Sequence, residues 1–156
     1  MLVKDIMATD IIYVKRFTTL GSLLKKFKEF HTMPVVPVVD DDMKVIGSVS
    51  FDELIDALQP VHMGGLKGIA FVDAQEPDIF DLVIEPEMGK LVVVDDFMQT
   101  KFLTVDQDSS LEKVYREMKL HQKSAVPVID KKGKLAGMIG IFDVIFAVFR
   151  ERGVVK

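Results

Sequence analysis

The sequence predicts an α+β protein built from two copies of a β-α-β-β-α unit. Three observations carry this expectation. The stretch from Val35 to Glu53, V-V-P-V-V-D-D-D-M-K-V-I-G-S-V-S-F-D-E, is written again from Ala125 to Asp143. Pro37 and Pro127, Gly47 and Gly137, and Glu53 and Asp143 are each 90 residues apart, so the spacing holds without a gap. Both stretches read as strand, polar turn, strand and helix start, and a helical stripe precedes each one.

In chain order, V-K-D-I-M (3–7) is a short amphipathic lead-in, and Ile11–Val14 is an extended run. Leu20, Leu23, Leu24, Phe27 and Phe30 then fall on one face of a helix, with Lys25, Lys26, Lys28 and Glu29 opposite. Pro34 and Pro37 mark the exit into strands at Val35–Val39 and Lys44–Val49, turned by Asp40, Asp41 and Asp42. Ser50 begins a second helix with Phe51, Leu54, Ile55 and Leu58 inward, and Pro60 follows it. In the second copy Val94–Met98 matches the lead-in, Thr100 matches Thr9, and Phe102–Val105 matches Ile11–Val14. Leu111, Val114, Tyr115 and Met118 repeat the stripe, and strands follow at Ala125–Ile129 and Leu135–Ile141. The offset is 91 up to Ser110 and 90 from the prolines onward, which puts one extra residue between Phe27 and Pro37. An extra residue there is harmless, whereas inside a strand it would reverse every side chain.

The expected division is residues 1–59, a connector over 60–93, and residues 94–152. Gly64, Gly65 and Gly68 loosen the connector's start, and Pro77, Pro86 and Gly89 interrupt it later. Ile69–Val72, Ile79–Ile84 and Leu91–Val94 are too apolar for a disordered tether, so short strands or turns are expected there.

Composition excludes several functions. A net charge of −4 provides no basic field for nucleic acid or an anionic membrane surface. Two tyrosines and no tryptophan make a poor platform for stacking bases. With no cysteine there is neither a disulfide nor a thiolate metal site. No apolar run approaches the roughly 20 residues of a membrane span, and charges interrupt the N-terminal apolar segment. A soluble, cytoplasmic chain is expected. His31 and His121 stand 90 residues apart at the ends of equivalent helices, where they read as caps, and His62 stands alone. Neither a metal-ligand spacing nor a nucleophile-and-base pair emerges, so the expectation is a protein that is not an enzyme.

The ordered set of motifs occurs twice: a Met-containing lead-in, a P-V-[IV]-D strand, a G-containing strand and an acidic residue opening the last helix. Together they resemble tandem CBS domains, the pair known as a Bateman module, over residues 3–58 and 94–150. The resemblance implies two units related by a pseudo-two-fold axis, their sheets packed together, with two clefts between them. It further implies a regulatory module whose clefts take adenosine-containing ligands such as AMP, ADP, ATP or S-adenosylmethionine. Such modules commonly pair as homodimers and act on a separate enzyme or transporter.

Residue by residue, the resemblance assigns Asp143 and Glu53 to the ribose hydroxyls. The chemistry suits them, since an ionised carboxylate offers two acceptor oxygens to a vicinal diol. Ser50 and Gly140 open the same helices. S-x-x-E is equally a capping box, in which Ser50 and Glu53 satisfy each other's backbone, while Gly140 has no hydroxyl to reciprocate. Thr9 and Thr100 fall where the family contacts the base, though either also suits a turn. Ile11, Ile12, Phe102 and Leu103 would flank an adenine, and Val49 and Ile139 would line the clefts or pack in the core. Lys123 and Ser124 precede the second P-V strand, whereas 32–35 (T-M-P-V) is uncharged. Many nucleotide-binding members carry an Arg or a His-Arg pair at that place. Lys15 and Arg16 align with Asp106 and Gln107, so the two clefts should differ in charge. The grouping expected is Asp143 with Thr100, Phe102 and Ile139 around the base and Lys123 near a phosphate. The alternative is a module with vestigial clefts that functions by docking or dimerisation. The last helix favours self-association, because Ile141, Phe142, Val144, Ile145, Phe146, Val148 and Phe149 cover more than one stripe.

Overall fold

A computed structural model describes residues 1–29, 35–58 and 79–156. The first unit consists of β1 (Val14–Lys15), α1 (Leu20–Glu29), β2 (Val35–Val39), β3 (Val45–Ser50) and α2 (Phe51–Ala57). After a short helix α3 (Met88–Leu91), the second consists of β4 (Val105–Asp106), α4 (Leu111–Leu120), β5 (Ala125–Ile129), β6 (Leu135–Gly140) and α5 (Ile141–Glu151). Each unit has a three-stranded sheet, ordered β1-β2-β3 and β4-β5-β6, with its first pair parallel and its second antiparallel. The architecture is the expected α+β pair of β-α-β-β-α repeats about a pseudo-two-fold axis, with the sheets packed together and two clefts between them.

The first strand of each unit is shorter than its apolar run. In the parallel register Val14 pairs with Val38 and Lys15 with Val39, which would set Tyr13 opposite Pro37. Proline has no N–H to offer a neighbour, so pairing stops one residue short of it. The second unit repeats this, with Val105 paired to Val128 beside Pro127. A proline is thus accommodated in a central strand because the sheet has only one partner there.

The hairpin turns are held by an aspartate in each copy. Asp40 Oδ1 accepts from the Asp42 and Lys44 N–H groups, both at 2.9 Å. Asp130 Oδ1 accepts from Lys132 and Lys134 at 2.8 and 3.0 Å. The residue three after each aspartate is left-handed, Gly133 at φ 77° and Met43 at φ 65°. Glycine adopts that conformation freely and methionine does not. The two turns also meet each other, with Leu135 N–H donating to Met43 O at 2.8 Å.

The lead-ins are exchanged between the units. Val3, in a 3₁₀ turn over Val3–Asp5, is fully buried in the second unit's core with Val114, Met118 and Ile139. Val94 and Phe97 are buried in the first unit's core with Val14, Leu23 and Val49. Backbone bonds follow the same crossing: Val3 N–H to Ser109 O at 3.0 Å, and Val94 N–H to Thr18 O at 2.9 Å. Ala8 and Met138 exchange two bonds of 2.9 Å, as Gln99 and Ser48 do at 2.8 and 3.0 Å. Each buried valine contributes roughly 2 kcal/mol of apolar burial to the opposite unit. The repeated glycines make the crossing possible. A Cβ on Gly137 would lie 2.5 Å from Ala8 O, and one on Gly47 would lie 2.9 Å from Gln99 O. Each unit's lead-in thus packs its buried residues into the core of the other unit.

In the connector, Ile79–Asp81 is a 3₁₀ turn, and α3 packs against α1, where Gly89 O would lie 3.0 Å from a Cβ on Gly21. Ile69–Val72, Gly64, Gly65, Gly68, Pro77 and His62 lie outside the described residues, as do His31 and the segment 32–34. No helix among the described residues is long and apolar enough to cross a membrane.

Candidate functional site

Both acidic motif residues stand in the first turn of a helix that leaves the third strand of its sheet. Ser50 and Gly140 hold extended backbone as N-caps of α2 and α5. Asp143 Oδ2 accepts from Gly140 N–H at 2.7 Å, and Glu53 Oε2 accepts from Ser50 N–H at 2.9 Å. Gly140 therefore does not release its acidic partner from the cap, since the backbone half of the capping box needs no hydroxyl. Asp143 is exposed, and its Oδ1 has no partner among the described residues. A Cβ at position 140 would lie 3.2 Å from Asp143 Oδ2, so glycine leaves the carboxylate unobstructed.

The two clefts differ in size and lining. Asp143, Gly140, Ile139 and Ser124 border a hollow of about 450 Å³, whose other walls include Ala8, Met138 and Phe142. Glu53, Ser50, Phe102, Leu103 and Lys123 border one of about 50 Å³. Val35 and Ala125 line both, which places them on either side of the pseudo-two-fold axis, between the clefts. Ser124 is tied to the Asp143 helix, its carbonyl accepting from Ile141 N–H at 2.8 Å.

The expected grouping is thereby changed. Phe102, Leu103 and Lys123 sit with Glu53 and not with Asp143. The exchange of lead-ins explains this: Gln99, next to exposed Thr100, pairs with Ser48 ahead of Ser50, while Ala8, next to exposed Thr9, pairs with Met138 ahead of Gly140. Each lead-in thus borders the acidic residue of the other unit. Val49 and Ile139 are fully buried in their cores, although Ile139 also borders the larger cleft. Ile12 is buried in the first unit's core and Ile11 is half-buried beside it. Ala8, Met138 and Phe142 were not foreseen as cleft residues. Phe142 carried a signal as the residue just before the acidic one in the helix-start motif, whereas Ala8 carried none within its own segment.

Charge is unequally placed. Among the described residues Asp143 is the one ionisable group lining the larger cleft, and Lys123 faces the smaller. Lys15 Nζ pairs with Asp41 at 3.0 Å and Arg16 Nε with Asp95 at 3.1 Å, both beside a separate hollow near Phe17 and Thr18. His121 is the C-cap of α4, its ring 3.5 Å from Glu117. No group of three or more His, Asp or Glu residues is placed to hold a metal among the described residues. The larger cleft can thus accept hydrogen bonds from a diol and press apolar walls on a ring.

Comparison with known proteins places this arrangement. The chain is 27% identical over 140 residues to a homoserine O-acetyltransferase of Methanosphaera stadtmanae, covering 88% of this chain but 22% of that protein. The chain therefore spans about a fifth of the length of that curated relative. Among solved structures, CBSX2 of Arabidopsis thaliana in complex with AMP superposes with a TM-score of 0.69 at 23% identity, covering 97% of this chain and 98% of that one. The CBS domain pair of protein MJ0100, in complex with 5′-methylthioadenosine and S-adenosyl-L-methionine, superposes with a TM-score of 0.66 at 18% identity, covering 95% and 99%. The CBS domain profile matches residues 3–60 and 94–150, and the chain belongs to the CBS domain family as a tandem pair.

Proposed function

We propose that this chain is a regulatory module that binds an adenosyl compound in the Asp143 cleft and signals by a shift between conformations. The observation that carries the reading is a first-turn carboxylate, one oxygen of which has no partner among the described residues, beside an apolar hollow of about 450 Å³. That volume lies in the range of small-molecule sites. Asp143 accepts from the ribose hydroxyls, Ile139, Gly140 and Ser124 shape the floor, and the Thr9–Ile12 segment flanks the base. In the Glu53 cleft, Ser50, Thr100, Phe102, Leu103 and Lys123 form the corresponding but closed set. The AMP, methylthioadenosine and S-adenosylmethionine complexes of the structural neighbours support the ligand class.

The module pairs with a second copy through α5, on which Phe142, Phe146 and Phe149 are 79%, 51% and 50% exposed. A signal would pass to a separate enzyme or transporter as differential affinity for two states of the module. Thermal unfolding with AMP, ADP, ATP or S-adenosylmethionine tests the sensor reading. Stabilisation by at least one of them, lost in Asp143→Ala, is the expected result. No stabilisation by any leaves the exposed α5 face as the functional surface and the docking module as the better reading. Light scattering tests the pairing, for which a monomer is the adverse result.

A further inference from the structure

Resting on the adenosyl reading above, the geometry points to a ligand without phosphates in the Asp143 cleft: a neutral or cationic adenosyl compound, a 5′-thioether or 5′-sulfonium. The cleft has room for a nucleoside and a substituent, at about 450 Å³. Its walls offer apolar side chains, one serine and the Asp143 carboxylate, and no cation lines it among the described residues.

Among the described residues, Lys123, Arg16, Lys15 and Lys4 are placed elsewhere. Lys123 lines the opposite cleft, and its counterpart at the 90-residue offset is Met33, which carries no charge. Arg16 and Lys15 are paired with Asp95 and Asp41 beyond the end of β1. Lys4 is paired with Asp108 at 2.8 Å. The start of α5 could otherwise favour an anion, but Asp143 occupies its first turn and already accepts a backbone N–H there. A phosphate attached to a ribose on Asp143 would face that carboxylate with no compensating charge among the described residues, whereas a sulfonium would be attracted to it.

Competition against labelled 5′-methylthioadenosine on the full chain tests this, with Asp143→Ala and Glu53→Ala run alongside to assign the label to a cleft. Methylthioadenosine and S-adenosylmethionine are expected to bind, with AMP and ATP displacing the label at concentrations at least about tenfold higher. Asp143→Asn keeps an acceptor for Gly140 N–H and for a hydroxyl while removing the charge. It should weaken the sulfonium compound more than the thioether. Ser124→Lys, which puts a cation on the rim, should bring AMP to within a few-fold of the thioether. AMP or ATP competing as well as the thioether, or AMP binding by calorimetry where methylthioadenosine does not, overturns the charge selection and leaves the adenosyl reading standing. Absence of binding by all four compounds overturns both.

Discussion

Asp143 and Glu53 hold the same place in equivalent helices, each accepting a hydrogen bond from the N–H three residues earlier. Their surroundings nevertheless diverge, into a hollow of about 450 Å³ beside one and about 50 Å³ beside the other. Two substitutions and a different set of lining residues separate them. Glycine replaces serine at the N-cap, aspartate replaces the longer glutamate, and Phe102 with Lys123 closes over Glu53 where Ala8 and Ser124 border Asp143. Backbone pseudo-symmetry is preserved by glycines, prolines and turn aspartates. The chemistry of the clefts is set by side chains those constraints leave free, so it can differ between copies without disturbing the fold.

The deepest test of the shared backbone is at the crossing glycines. Gly137→Val should destabilise the protein by about 3 kcal/mol in urea unfolding, because the Cβ meets a backbone carbonyl that cannot turn aside. Gly47→Val should cost less, about 1–2 kcal/mol, since the backbone carbonyl its Cβ meets, Gln99 O, is 2.9 Å away against 2.5 Å for Ala8 O at Gly137. Equal losses would mean that the two crossings are equally tight.

Ligand response is the next largest difference. At 100 times its dissociation constant a ligand bound only by the folded state adds about 2.7 kcal/mol. Asp143→Ala should remove that increment in thermal unfolding, while Glu53→Ala should keep most of it. The reverse pattern would assign the site to the smaller cleft.

The turns offer a smaller, two-way test. Met43→Gly should stabilise the protein by about 1 kcal/mol by relieving the left-handed backbone, and Gly133→Met should destabilise it by a similar amount. Both are read from urea midpoints.

The lead-in contacts give the smallest effect. The ion pair of Lys4 with Asp108 holds the Asp108 carboxyl below its ordinary value of 3.8 and raises Lys4 above 10.5, through the hydrogen bond between them. A lowered carboxyl pKa stabilises the fold above the unfolded value, and that contribution is lost as pH falls through the folded one. For the raised lysine the contribution is present below 10.5 and is lost as pH rises through the folded value. Lys4→Ala should therefore flatten the acid limb of the stability profile slightly, and the same change should be weaker in high salt.

Most of the fold was legible because it is written in local patterns. Asp40 and Asp130 announce their turns, the stripes from Leu20 and Leu111 announce helices, and the constant offset joins them. Asp143 and Glu53 were legible as helix-start carboxylates for the same reason. The partition of Phe102, Leu103 and Lys123 was not, because it depends on which core each lead-in enters. Val3 and Val94 have nearly the same neighbours in sequence, and either would satisfy either slot. The length of β1 was readable only jointly with Pro37, twenty-odd residues away, once the parallel register was known.

The crossing of the lead-ins makes neither half complete alone. A fragment carrying only the first unit would expose the valine it normally lends and lack the one it receives. Two such fragments could supply each other reciprocally, in the manner of a domain-swapped dimer. The tandem chain keeps those two partners permanently tethered, at an effective concentration fixed by the connector and independent of how dilute the protein is. Dilution cannot part its halves, and unfolding one empties a slot in the other.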